Sequence, residues 1–120
     1  MKALRILLVE DDPMLGDLLA ETLEMMGHEV CGIESTEADA VAAAFRCKPE
    51  LMIIDVGLRD GSGASAAEQI CDTGFIPHFF VSGDISRIKA SRPTAVAVQK
   101  PFGEADLIYA IQRALEGLGA

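Results

Sequence analysis

The sequence predicts a single α/β domain, a doubly wound parallel sheet of five strands joined by five helices. Three observations predict it. Leu51-Met52-Ile53-Ile54 is an unbroken apolar run, and four apolar residues in a row cannot alternate between core and water, so this strand is covered on both faces as strands of parallel sheets are. Apolar runs of strand length alternate with segments of helical periodicity along the whole chain, and parallel neighbours need right-handed crossovers of that kind. At 120 residues the chain supports one core without disulfide or metal staples. Residues 1–120 are therefore read as one domain, with no linker and no repeat.

The first strand, Leu4 to Val9, is apolar apart from Arg5 and runs into the acidic cluster Glu10-Asp11-Asp12. Pro13 suits a first helical turn, and Leu15, Leu18, Leu19, Leu23 and Met26 recur at helical spacing until Gly27 stops the helix. His28 to Ile33 is a short second strand. Ser35 or Thr36 can cap a second, alanine-rich helix that runs to Lys48 and is stopped by Pro49. The central strand ends at Asp55, where Gly57, Gly61 and Gly63 mark a loop that leaves the carboxylate at the rim of the sheet. Ala64 to Thr73 is the third helix, Ile76 to Val81 the fourth strand. Asp84 to Ser91 is weakly helical, with Ile85 and Ile88 as its large apolar residues. Ala95 to Gln99 is the fifth strand, and Glu104 to Leu118 the last amphipathic helix, with Leu107, Ile108, Ile111 and Leu115 on one face.

Composition excludes several functions. A formal net charge of −9 opposes direct binding to nucleic acid or to an anionic membrane, both of which need a basic surface. No apolar run approaches membrane-span length, and Met1-Lys2-Ala3-Leu4-Arg5 leads straight into a strand rather than a signal peptide, so a cytoplasmic protein is expected. Cys31, Cys47 and Cys71 are odd in number and far apart, without CxxC or Cys/His spacing, and are read as reduced, packed thiols. His28 is expected at the surface and His78 packed. Phe75, Phe79, Phe80, Phe102 and Tyr109 are assigned to the core.

In an open parallel α/β sheet, ligands bind beyond the carboxyl ends of the strands, near the point where strand order reverses. Four of the five strands deliver a polar residue to that edge: Asp11 and Asp12, then Asp55, Ser82 and Lys100. Singly, each has an ordinary role. Asp11 or Asp12 can cap the first helix, Asp55 can close a turn, Ser82 can cap the next segment, and Lys100-Pro101 can be a turn. Together they converge on one place. Carboxylates gathered near a core repel one another unless a cation offsets them, and an all-oxygen set suits Mg²⁺, which leaves a position open for a phosphate oxygen. The chemistry this permits is phosphoryl transfer to Asp55, with Ser82 and Lys100 holding the remaining charge.

Glu10-Asp11-Asp12-Pro13, the strand ending at Asp55 with Gly57 and Asp60-Gly61 after it, Ser82-Gly83 and Lys100-Pro101-Phe102 together resemble the receiver domain of bacterial two-component response regulators. The similarity spans essentially the whole chain and implies the flavodoxin-like fold with strand order 2-1-3-4-5. It implies Asp55 as phospho-acceptor and metal ligand, Asp12 as a direct Mg²⁺ ligand with Asp11 acting mostly through water, and the Gly57 carbonyl completing the metal site, where Mn²⁺ could substitute. Ser82 becomes the switch hydroxyl and Lys100 the phosphate partner, aimed inward by a cis Lys100–Pro101 bond. The implied partners are a histidine kinase or histidine phosphotransfer protein, a downstream protein target, and a second copy in a phosphorylation-dependent homodimer. Such a chain is not a conventional enzyme, although it catalyses its own phosphoryl transfer and hydrolysis.

Two departures from the family fall on the surface receivers use for output. Ala97 occupies the usual aromatic position three residues before the lysine, which excludes aromatic gating. The Ser82–Lys100 segment is short, so the fourth helix is expected to be short or irregular. A Mg²⁺ phosphohydrolase shares the aspartyl nucleophile, but Gly57 stands where that class needs a second acid/base aspartate. A pseudo-receiver that binds partners without phosphorylation is the alternative reading: the complete acidic set argues against it, and Ala97 keeps it open. A flavin carrier of the same fold would need neutral donors where this chain has aspartates.

Overall fold

The structure is a computed structural model and describes residues 2–117. Five strands, β1 (Arg5–Val9), β2 (Glu29–Glu34), β3 (Leu51–Asp55), β4 (His78–Ser82) and β5 (Ala97–Gln99), alternate with five helices, α1 (Pro13–Met25), α2 (Glu37–Cys47), α3 (Gly63–Cys71), α4 (Ser86–Ser91) and α5 (Glu104–Glu116). All neighbours are parallel, in the expected order β2-β1-β3-β4-β5.

Each face of the sheet buries its own cluster. Ile6, Leu8, Leu51, Ile53, Phe79 and Val81 face α1 and α5, packing on Leu19, Leu23, Leu107 and Ile111. Leu7, Val9, Met52, Ile54 and Phe80 face the other side, against the alanines of α2 and α3. The central strand β3 is buried at every residue, as an apolar run covered on both sides must be. Small alanines on α2 and α3 let those helices lie close to the sheet.

Local chemistry sets the helix ends. Asp12, followed by Pro13 in the first turn, caps α1 by accepting from the Met14 and Leu15 N–H groups. Thr36 caps α2 through the Asp39 N–H, and Ser62 caps α3 through Ser65. The fourth helix is short, at six residues, and buries Ile88. Leu118, the expected end of the last helix, lies outside the described residues.

Three core assignments are corrected. His28 is buried, 5% exposed, because its Nδ1 accepts the Leu4 N–H and ties the start of β2 to that of β1. Phe75 and Tyr109 are 57% and 60% exposed. Phe75 lies in the turn after α3, outside strand periodicity. Tyr109 sits on the outer face of α5, where its hydroxyl accepts from Arg113 Nη1 at 3.0 Å.

Candidate functional site

The chain leaves β1 toward β2 on one side and crosses to β3 on the other. The loops after β1 and β3 therefore diverge and open a crevice at the carboxyl edge of the sheet. Asp55, the last residue of β3, forms its floor at 6% exposure. Lys100, directly after β5, reaches across so that its Nζ donates to Asp55 Oδ2 at 2.8 Å and to Glu10 Oε1 at 3.1 Å. Glu10 is 4% exposed, and its Oε2 accepts the Asp12 N–H. Asp55 Oδ1 accepts the Gly57 N–H at 3.0 Å, which fixes the carboxylate from its own loop. The Lys100–Pro101 bond is cis.

Glu10, Asp11 and Asp55 each place a carboxylate oxygen within 4.8 Å of the other two. One ammonium faces three acids. Burial pushes the Glu10 carboxyl up to about 7, aided by its hydrogen bond with Asp55. Burial opposes the charge on Lys100, but hydrogen bonds to Asp55 and Glu10 outweigh it and raise the lysine above its ordinary range. The pocket thus holds more negative charge than its lysine compensates. Its donors are all carboxylate oxygens, the set that hard divalent cations such as Mg²⁺ prefer.

Asp11, Asp55 and Lys100 meet as expected, with Gly57 at the exposed mouth. Asp12 stands apart. The acids gathered around Asp55 are Glu10 and Asp11, one position earlier than the expected Asp11–Asp12 pair, because Asp12 spends its carboxylate on the N-terminus of α1. Pro13 carried the signal for this: a proline in the first helical turn makes the preceding aspartate the cap and leaves the two residues after Val9 for the crevice. Ser82 ends β4, and its hydroxyl donates to the Asp84 carbonyl and accepts the Asp84 N–H.

Two supports carried no expectation. Gly63 approaches the sheet so closely that a Cβ there would lie 2.0 Å from the Asp55 carbonyl oxygen, so only glycine lets α3 begin against the end of β3. Glu37, in the first turn of α2, accepts from Ser62 N–H at 2.9 Å and Ser65 Oγ at 2.7 Å, and also from Gln69 Nε2. These bonds hold the β3–α3 loop to α2, and that from Ser62 N–H leads in keeping the Glu37 carboxyl below its ordinary range. On the opposite side, Gln99 accepts the Ile85 N–H and donates to the Gly83 carbonyl, bridging β5 to the loop that comes after Ser82.

A family profile described as response regulator receiver domain matches residues 6–112. The phyllosphere-induced regulator PhyR of Methylorubrum extorquens is 34% identical over 94% of this chain and 44% of its own length. Protein PilH of Pseudomonas aeruginosa is 30% identical over 94% of this chain and 98% of its own. The crystal structure of the response regulator PhyR from Brucella abortus superposes with a TM-score of 0.88 at 31% identity, covering 98% of this chain and 50% of that one. The chain spans about half the length of most of the curated relatives it matches.

Proposed function

Because the chain belongs to the response regulator receiver family, we propose that residues 1–120 work as one receiver domain, which takes a phosphoryl group onto Asp55 from a phosphohistidine protein and signals through protein contacts. The observation that carries this reading is the buried Asp55 carboxylate held 2.8 Å from the Lys100 ammonium beside Glu10 and Asp11. Asp11, Asp55 and the Gly57 carbonyl would hold Mg²⁺, with Glu10 behind them. The ion supplies neutralisation of phosphoryl oxygens. The carboxylate oxygen of Asp55 forms the new bond to phosphorus as the phosphorus–nitrogen bond of the donor histidine breaks, and the departing imidazole takes up a proton. Lys100 binds a phosphoryl oxygen, and Ser82 turns from Asp84 to bind another.

Ala97 removes the aromatic gate, so the output passes through the Gly83–Pro93 segment. That segment is coupled to Ser82 by Asp84 and to β5 by Gln99. The phosphodonor seats in the groove between α1 and α5 lined by Leu15, Leu18, Phe102 and Leu107, because Lys100 lines the same groove and a protein placed there faces Asp55.

A Mg²⁺ titration followed by amide NMR shifts separates this reading from a phosphorylation-independent binding module. Saturable shifts around residues 10–12, 55–58 and 100 that vanish in Asp55→Asn are expected. A titration that leaves those amides unmoved contradicts it.

A further inference from the structure

Cys31 and Cys47 are distant in sequence and meet in the fold. The pairing of β1 with β2 slips by one residue at Cys31, since Ile6 pairs with Val30 and Leu7 with Gly32. Such a bulge sets two successive residues against one and re-aims the extra side chain. Val30 packs with the cluster under α1 and α5, Cys31 with the opposite cluster under α2. A Cβ at Gly32 would also point toward α2, 3.2 Å from Leu7 Cδ1 and 3.9 Å from Cys47 Sγ. Both residues therefore face the last turn of α2, whose final residue is Cys47. The Cys47 thiol donates to the Cys31 carbonyl oxygen at 3.1 Å. Arg5 Nε fixes that helix end by donating to the Cys47 carbonyl oxygen at 2.9 Å. Both thiols are free and only partly buried.

We propose that Cys31 and Cys47 are a modification site that closes into a reversible intramolecular disulfide on reaction with a small disulfide oxidant such as oxidised glutathione. Burial, followed by the hydrogen bond with the Cys47 side chain, pushes the Cys31 thiol up to about 12. Cys47 is accordingly the first nucleophile and Cys31 the slower second one. The Cys47 thiolate attacks oxidised glutathione, the glutathione sulfur–sulfur bond breaks, and the departing thiolate receives the proton Cys47 gave up. Cys31 then attacks the Cys47 sulfur of the mixed disulfide, and its own proton ends on the second departing glutathione. Two cysteine thiols are oxidised, and one oxidised glutathione becomes two reduced molecules. The product ties the bulge of β2 to the end of α2 and closes a loop in the unfolded chain, which raises thermal stability. Cys71 lies elsewhere, beside the Ile76 carbonyl and His78 Nδ1, and serves as an internal control.

The test equilibrates the full chain with graded ratios of oxidised to reduced glutathione, quenches by alkylation and reads intact mass with a non-reducing peptide map. The expected result is the joint loss of two alkylatable thiols, a Cys31–Cys47 cross-linked peptide and a higher melting midpoint, all reversed by dithiothreitol. Cys71→Ser keeps this behaviour, while Cys31→Ser stops at a single glutathione adduct on Cys47. Three alkylatable thiols in fully oxidised glutathione overturn the proposal. So does a glutathione adduct that persists on Cys47 in the unsubstituted chain while Cys31 remains alkylatable.

Discussion

Asp55 owes its position to Gly63 as much as to its own strand. A methyl group at residue 63 would overlap the Asp55 carbonyl and also press on Ile54 Cγ2 at 2.8 Å. Gly63→Ala should cost about 2 kcal/mol in urea unfolding, in the range of overpacked cores, and should lower phosphoryl acceptance although Glu10, Asp11 and Asp55 are all retained. Asp12 and Asp11 separate just as cleanly. Asp12→Ala removes a helix cap and should cost about 1 kcal/mol of stability while Mg²⁺ affinity, read by calorimetric titration, stays near that of the unsubstituted chain. Asp11→Asn should do the reverse. Asp55 and Lys100 were legible in the sequence because each ends or follows an apolar strand. Glu10 was not, since three adjacent acids look alike until the helix start assigns one of them to the cap. Gly63 was read only as a loop residue, because close approach of a helix to a strand is a property of packing and leaves no pattern in the chain.

At the scale of elements, strands and helices were fixed by apolar runs and by the residues that interrupt them. The exceptions lie where a single contact overrides pattern. His28, expected at the surface at the start of the second strand, is buried where it accepts the Leu4 N–H, and burial lowers its pKa below the ordinary 6.5. The folded state then resists a proton that the unfolded chain accepts. Its stabilising contribution is complete above about pH 6.5 and is lost as pH falls through the folded-state value. Urea unfolding between about pH 7.5 and about pH 5 should therefore show a fall in stability that is smaller in His28→Gln. The weak α4 is held from outside, by Gln99 bonding both Ile85 and Gly83. Gln99→Ala should raise hydrogen exchange across residues 83–91 while exchange in β3 stays unchanged. The bulge that joins Cys31 to Cys47 was hidden for a related reason, because register is set between strands.

The whole molecule places its chemistry on one edge and its variation on another. The acids and Lys100 occupy the crevice between β1 and β3, while Ala97, the short α4 and exposed Tyr109 gather at the β5 edge of the sheet. The doubly wound parallel sheet and the edge that carries the site followed from the alternation of elements and right-handed crossovers, whereas the order 2-1-3-4-5 came from the resemblance to the receiver family. The α1–α5 groove makes a prediction at this scale. Leu18 is 61% exposed, so Leu18→Asp should leave folding intact and slow transfer from a phosphohistidine protein at least about tenfold, roughly 1.4 kcal/mol. Transfer from acetyl phosphate, which needs no protein contact, should be unchanged. The most direct measurement is intact mass after incubation with acetyl phosphate, with and without Mg²⁺, on the unsubstituted protein and on Asp55→Asn. A Mg²⁺-dependent gain of one phosphoryl group that is absent from Asp55→Asn is the predicted result. A protein that gains no mass, or gains it equally in Asp55→Asn, would contradict the assignment of Asp55 as the acceptor.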